Sequence, residues 1–197
     1  LANTYLPMRL SFVNEATRLA EYSNANLQDV LKGVGLDTRI GAHYFRPSPS
    51  WGGSCFPKDL VEVNNFYKKD ELNLPLISNI IESNEEHLKW TVTQLMSLRE
   101  SNNLEKIYLV GAAFKEDTDD LRNSPTLDIY KILTEMNIEV IILDPQVEVS
   151  EYAYIPEIKE ISPNSLLSIM YPQKEEFSNK LNEFSSKNNC VIYYPWS

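Results

Sequence analysis

Lys106-Ile107-Tyr108-Leu109-Val110-Gly111-Ala112, then Thr126 to Met136, then Glu139-Val140-Ile141-Ile142-Leu143, sets the architecture of the second half of this chain. The outer two pieces are short, apolar and rich in β-branched residues, as strands buried on both faces are, and the middle piece has helical spacing. Together they predict a βαβ unit in a parallel sheet. Leu166 to Tyr171, Lys174 to Phe184 and Cys190 to Tyr194 continue the series with another strand, helix and strand. A small Rossmann-like domain is therefore expected. Its first strand does not lead into the glycine fingerprint of dinucleotide sites, since Gly111 stands alone before Ala112, Ala113, Phe114 and Lys115. Lys115 and Arg122 could supply phosphate-binding charge instead, although a lysine after a strand can equally be a solvated one. Asp144 falls where a ribose-binding acid stands in such folds and is also an ordinary turn residue before Pro145.

Upstream the period is helical. Leu76 to Arg99 reads as one long helix with Ile77, Ile80, Ile81, Leu88, Val92 and Leu95 on its apolar side, ended by the polar break Ser101-Asn102-Asn103. Leu1 to Tyr22 reads as another, with Leu6, Leu10, Val13 and Leu19 apolar, and Asn26 to Gly33 as a short helix closed by its glycine. Asp37 to Lys58 carries Gly41, Pro47, Pro49, Gly52, Gly53 and Pro57, which predicts a loop, and Asp59 to Tyr67 restarts a helix. The fold expected is α/β: a helical segment over residues 1–101, then a Rossmann-like parallel-sheet domain over 102–197. Leu1 is not an initiator methionine and the helical spacing starts at once, so the chain is expected to begin inside an element of a longer protein. The apolar helices of the first half offer more nonpolar surface than a small second domain can cover, which predicts a homodimer.

With 197 residues, 43% of them hydrophobic and 11% aromatic, the chain can bury a core of ordinary size. A formal net charge of -10 argues against nucleic acid or an anionic membrane as the main partner, because both require a basic face. Cys55 and Cys190 are the only cysteines and lie far apart, so no disulfide framework is expected and a reducing compartment is. There is no basic-then-apolar leader and no apolar run long enough to span a bilayer, which predicts a soluble, cytoplasmic protein without membrane association. His43 and His87 are the only histidines, without a close cysteine pair, and no metal site is expected.

The chemistry concentrates in Gly52-Gly53-Ser54-Cys55-Phe56-Pro57-Lys58-Asp59. Glycines before a thiol let a substrate approach closely, and an ammonium three residues on favours the nucleophilic thiolate. On local chemistry alone, a turn with a chance cysteine fits as well. The segment resembles, however, the active-site signature of the UDP-glucose/GDP-mannose dehydrogenase family, and further matches follow in order. Ala2-Asn3-Thr4 with Ser11-Phe12-Val13-Asn14-Glu15 resembles the family's central helix, and Arg39-Ile40-Gly41 with Tyr44 its substrate loop. Gly111 to Lys115, Asp119 to Pro125, and Asp144-Pro145 resemble its second nucleotide domain.

That resemblance implies a nucleotide-sugar alcohol oxidised twice by NAD to a carboxylate, through a thiohemiacetal and a thioester on cysteine. It assigns Cys55 as nucleophile, Asp59 as its acidic partner and Asn3 as a donor to developing oxyanion charge. Arg39, the loop Tyr44, Phe45, Arg46, Pro47 and Ser48, and Gly52 become substrate contacts, with Arg39 reaching a neighbouring subunit's sugar. Phe114 and Lys115 become the uracil and diphosphate contacts of a UDP-sugar, and Lys58 and Arg122 the cofactor contacts. On residues alone Arg39 is equally an exposed charge, Tyr44 a core or rim aromatic and Asn3 a helix cap, while Cys190 reads as a buried small hydrophobe. Ser54 to Lys58 with Arg39-Ile40-Gly41 looks more like the branch acting on UDP-glucose than those acting on GDP-mannose or UDP-N-acetylhexosamines. Departures from the family pattern are Ser50 in place of a glycine, the ending Tyr193-Tyr194-Pro195-Trp196-Ser197 without its usual arginine, and the absence of a catalytic lysine before Asn3 and of the amino-terminal NAD-binding domain. They imply that the chain by itself is inactive, and leave open a non-catalytic nucleotide-sugar-binding or dimerisation module. A cysteine hydrolase pairing Cys55 with His43 is the remaining alternative, without the strand-turn-helix context it would need.

Overall fold

A computed structural model describes residues 1–69 and 72–196; Ser197, the last residue of the ending read above, lies outside them. Contacts divide the chain into two units, Leu1–Lys89, which Trp196 joins, and Trp90–Pro195.

The first unit is helical because its apolar and small residues recur at helical spacing. Helix α1 (Ala2–Tyr22) buries Thr4, Pro7, Ser11, Val13, Asn14, Thr17 and Ala20 along one side. Helix α2 (Leu27–Gly35) is capped by the Asn26 side chain, which accepts from the Asp29 N–H at 3.0 Å. It continues through Gly33, where it was expected to close, because the Lys32 carbonyl still finds its partner in the Leu36 N–H at 3.1 Å. Helix α3 (Phe56–Lys69) begins three residues ahead of Asp59. Pro57 suits that first turn, where no intrahelical N–H is needed, and the Asp59 N–H bonds the Cys55 carbonyl at 2.9 Å. The long helix expected from Leu76 is two: α4 (Pro75–Ser78) and α5 (Ile80–Ser101), separated at Asn79. Pro75 starts the first, and the Asn79 carbonyl accepts from Ser83 to start the second.

The second unit is a parallel five-stranded sheet in the order β3-β2-β1-β4-β5. Strands β1 (Lys106–Val110), β2 (Val140–Leu143), β4 (Ser165–Ile169) and β5 (Val191–Tyr193) match the expected runs. Strand β3 (Tyr154–Ile155) is too short to show any alternation in sequence. Helices α6 (Pro125–Glu135) and α7 (Glu175–Lys187) make the crossovers. Central strand β1 pairs with β2 through Ile107 to Val110 and with β4 through Lys106 to Val110, and Ile107, Leu109, Ile142, Leu166 and Leu167 are fully buried. The chain runs from β1 to one side, then returns to the other, so the carboxyl ends of β1 and β4 flank the switch point at which open parallel sheets take ligands. Cys190 is half-buried rather than buried, because β5 is an edge strand. No helix among the described residues is long and apolar enough to cross a membrane.

Candidate functional site

Two groups of the expected residues form, one in each unit. In the first, the peptide before α3 presents Cys55, exposed, at the helix's amino-terminal end, with the Ser54 hydroxyl 3.7 Å from its sulfur. Backbone N–H groups without intrahelical partners face that end, so negative charge formed there is stabilised. Asp59 stands one turn on, the spacing that places two side chains on one helix face. Asn3, from the first turn of α1, donates its Nδ2 to Asp59 Oδ2 at 2.7 Å. Thiol, carboxylate and amide donor are thus gathered by two helix ends. Gly53 makes the approach to Cys55 with φ +88°, a conformation costly for any residue with a Cβ.

The loop before the thiol is pinned from both sides. Asn14 of α1 accepts from the Ser48 N–H at 3.0 Å, and His87 of α5 bonds the Ser48 carbonyl through Nε2 at 2.9 Å. Asn3 and Asn14 are eleven residues apart, about three turns, and so lie on one face of α1. Asn84 of α5 pairs with both polar groups of the Trp51 backbone at 2.9 Å, and the Trp51 indole N–H donates to Ser11 Oγ at 2.9 Å. The Trp51 and Phe56 rings meet edge-on at 6.3 Å, so the segment carrying Gly52 and Cys55 is held at both ends. Arg9 donates to the carbonyls of Ile40 and Gly41, and its guanidinium lies over the Phe45 ring at 5.2 Å. Ser11, Asn14, Asn84 and His87 were not singled out as site residues from sequence. Only polarity at positions inside apolar helix faces could have flagged them.

Tyr44, with φ +53°, is half exposed and meets the Phe56 ring edge-on at 6.4 Å, which brings it beside the cysteine turn. Pro47 and Gly52 are buried, while Arg46 and Lys58 are exposed. Arg39 is not drawn toward Cys55: 87% exposed, it forms a two-pronged pair with Asp37, Nε to Oδ1 at 3.0 Å and a terminal nitrogen to Oδ2 at 2.6 Å. Burial, aided by the charge of Arg18, holds His87 neutral by lowering its pKa from 6.5 to about 4, although the Ser48 carbonyl opposes the shift.

The second group lies after β1. Gly111 adopts φ +102°, and its carbonyl accepts from Thr126 Oγ1 at 2.7 Å. The Ala112 N–H bonds Asp144 Oδ2 at 2.8 Å, the Ala112 carbonyl accepts from Ser124 Oγ at 2.6 Å, and the Phe114 N–H bonds the Asp120 carbonyl at 3.1 Å. Asp144 also accepts from the N–H groups of Gln146 and Val147, at 2.8 and 3.0 Å. It is 3% exposed and serves as a staple between β2 and the turn, not as an open ribose acceptor. Phe114 and Lys115 project beyond this braced turn, the Lys115 ammonium 5.5 Å from the Phe114 ring centroid and exposed. Arg122 grips Asp120 with two bonds of 2.9 and 2.7 Å, holding that carboxyl down at about 2.

The family models for the UDP-glucose/GDP-mannose dehydrogenase family match this chain twice, the central domain over residues 1–86 and the UDP binding domain over 108–194. The chain belongs to this family. UDP-glucose 6-dehydrogenase of Campylobacter jejuni is 41% identical over 159 residues, covering 78% of this chain and 38% of that protein. UDP-glucose 6-dehydrogenase TuaD of Bacillus subtilis is 31% identical over 195 residues, 99% of this chain and 39% of its own length. The chain therefore spans under half the length of these curated relatives. Among solved structures, a UDP-glucose dehydrogenase from Pyrobaculum islandicum superposes with TM-score 0.81 at 26% identity, over 100% of this chain and 46% of that one. The UDP-N-acetyl-mannosamine dehydrogenase Cap5O from Staphylococcus aureus superposes with TM-score 0.72 at 27% identity, over 86% of this chain and 38% of that one. The helical segment followed by a parallel-sheet domain is thus the architecture of nucleotide-sugar dehydrogenases.

Proposed function

We propose that this chain carries the cysteine and nucleotide-sugar-binding parts of an NAD-dependent UDP-glucose 6-dehydrogenase, which converts UDP-glucose to UDP-glucuronate in the cytoplasm as a homodimer. The observation that carries the reading is the exposed Cys55 at the start of α3, one turn from an Asp59 already bonded by Asn3. In this reading the Cys55 sulfur adds to the aldehyde carbon of the half-oxidised sugar, forming a C–S bond. Asn3 stabilises the oxygen that gains charge and Asp59 holds the thiol proton; the hydride lost from that carbon as the adduct becomes a thioester would go to NAD, and Asp59 then orients the water that splits the thioester to acid and free thiol. Tyr44 to Ser48 and Gly52 line the sugar, Phe114 and Lys115 take uracil and diphosphate, and Arg39 reaches the partner subunit's sugar. UDP-glucose is favoured over GDP-mannose or a UDP-N-acetylhexosamine by the names of the two curated relatives described above.

The described residues do not fit a complete NAD site. The N–H groups of Gly111, Ala112 and Phe114 already have acceptors at Leu143, Asp144 and Asp120, so the turn offers no open phosphate cradle. Lys58 and Arg122 are then outlying contacts to a cofactor held by the part of the relatives that this chain does not span. A non-catalytic nucleotide-sugar-binding or dimerisation module is the second reading, favoured by the lack of a complete NAD site among the described residues.

Calorimetric titration of the chain with UDP-glucose, UDP and NAD tests the proposal. UDP and UDP-glucose should bind and NAD should not. Lys115→Ala removes one charge-assisted contact to phosphate and should cost UDP binding about 1.5 to 3 kcal/mol. Tight NAD binding by the chain, or no UDP binding at all, would overturn the assignment.

A further inference from the structure

The braced turn after β1 is tied down from the far side of the sheet by Tyr171. This residue leaves the end of β4, and its ring crosses the carboxyl end of the central strand: a Cβ built on Gly111 would lie 2.6 Å from ring Cζ and 2.7 Å from Cε1. The hydroxyl reaches the end of β2, where it donates to Asp144 Oδ2 across 3.4 Å. Asp144 Oδ2 is the same atom that accepts from the Ala112 N–H at 2.8 Å. One side chain from β4 thereby reaches the carboxylate on β2 that holds the turn after β1. The Gln173 side chain, donating to the Tyr171 carbonyl at 3.1 Å, lies against Gly111 from the same side.

Packing alone explains the ring but not the hydroxyl. A phenylalanine would fill the same space over Gly111, whereas the hydroxyl meets the very carboxylate oxygen that holds the Ala112 N–H. Burial first, and the Asp144 charge second, push its pKa up, so it remains a donor wherever the protein is folded. The position is also the switch point, where an open parallel sheet ordinarily receives its ligand, and here the protein's own ring fills it.

We propose that Tyr171 is a positioning residue for nucleotide binding: by holding the Asp144 carboxylate against the Ala112 N–H it sets where Phe114 and Lys115 stand, and by filling the crevice over Gly111 it keeps the diphosphate on the Lys115 side of the turn. The inference rests on the reading that Lys115 contacts the diphosphate. It identifies Tyr171 as acting through Lys115, not by touching the nucleotide.

The test is a double-mutant cycle on the whole chain with UDP as ligand, comparing wild type, Tyr171→Phe, Lys115→Ala and the double variant, with thermal midpoints measured alongside. Tyr171→Phe keeps the ring and removes only the bridge, so the fold should persist. Loss of one bridging hydroxyl should weaken UDP binding about 3- to 10-fold in the wild-type background, and by less than about 2-fold where Lys115 is already alanine. Unchanged UDP affinity in Tyr171→Phe would overturn the inference, as would an equal loss in both backgrounds, which would mean a general loosening. If Lys115→Ala has no effect on UDP, the reading of Lys115 itself fails and this inference falls with it; if Lys115→Ala weakens UDP while Tyr171→Phe does not, only the inference falls.

Discussion

Cys55 and Cys190 differ in the properties that govern thiol chemistry. Cys55 is exposed at the start of a helix beside the Ser54 hydroxyl, with Asp59 on the same face. Cys190 is half-buried at the entrance to an edge strand, its sulfur 3.8 Å from the Ser162 carbonyl and 3.6 Å from that of Asn188. Iodoacetamide should therefore label Cys55 well before Cys190, read by peptide mass spectrometry. On the proposed reading, in a protein that joins this chain to the rest of its relatives' length, Cys55→Ser should still bind nucleotide sugar yet release no acid, because a serine hydroxyl is a far weaker nucleophile and an alkoxide a poorer leaving group than a thiolate. Cys190→Ser should turn over normally. Normal turnover by the Cys55 variant, or a comparable loss in the Cys190 variant, would show that the wrong thiol had been chosen.

The elements around the site act by holding a loop that has no regular structure of its own. Helices α1 and α5 contribute Asn14 and His87 to the N–H and the carbonyl of one residue, Ser48, and His87 can do so only while neutral if its burial is not to become costly. Its pKa falls from 6.5 to about 4 on folding, so between those values the unfolded chain takes up a proton that the folded chain refuses. This stability is fully present above pH 6.5 and is lost as pH falls toward 4, by up to about 3 kcal/mol at ~1.4 kcal/mol per unit. Urea unfolding from pH 7 to 4.5 should thus lose stability more steeply in wild type than in His87→Gln, which keeps a donor for Ser48 without titrating; equal slopes would refute the account. How much of this was legible follows the same division. Strand and helix periods reveal β1, α6, β2 and α1 directly, and short motifs single out Cys55, Asp59 and Asn3. The Asn79 break was hidden because Ile77, Ile80 and Ile81 keep the helical period across it, and β3 because two residues carry no period. The anchors Ser11, Asn14, Asn84 and His87 stayed unread because their partners, the Trp51 indole N–H and backbone groups of Ser48 and Trp51, lie 33 to 40 residues away, with no trace in local sequence.

On the scale of the whole molecule, the first unit leaves an apolar surface that its own helices do not cover. Tyr5, Phe12 and Leu19 of α1 recur every seven residues and are 55%, 60% and 67% exposed, which makes a stripe along one side of the helix. Beside part of it runs a groove of about 580 Å³ lined by Tyr5, Phe12, Ile40, Phe45 and Leu76 among others. None of Asn3, Cys55 and Asp59 lines that groove, so it is read as an interface and not as the catalytic pocket. A stripe repeating every seven residues suits a second helix, and a two-fold pair lets the stripe cover itself, which is the commonest way for identical chains to associate. Light scattering at tens of micromolar should accordingly give the mass of a dimer. Phe12→Glu places a charge in the middle of the stripe, where burial without a partner would be costly, and should yield a monomer. Because Phe12 belongs to the first unit, the same variant should keep its affinity for UDP, which distinguishes a lost interface from a lost fold. A wild-type monomer at that concentration, or a Phe12→Glu protein that remains dimeric, would remove α1 as the interface and leave the stripe as surface that this chain does not use to pair with itself.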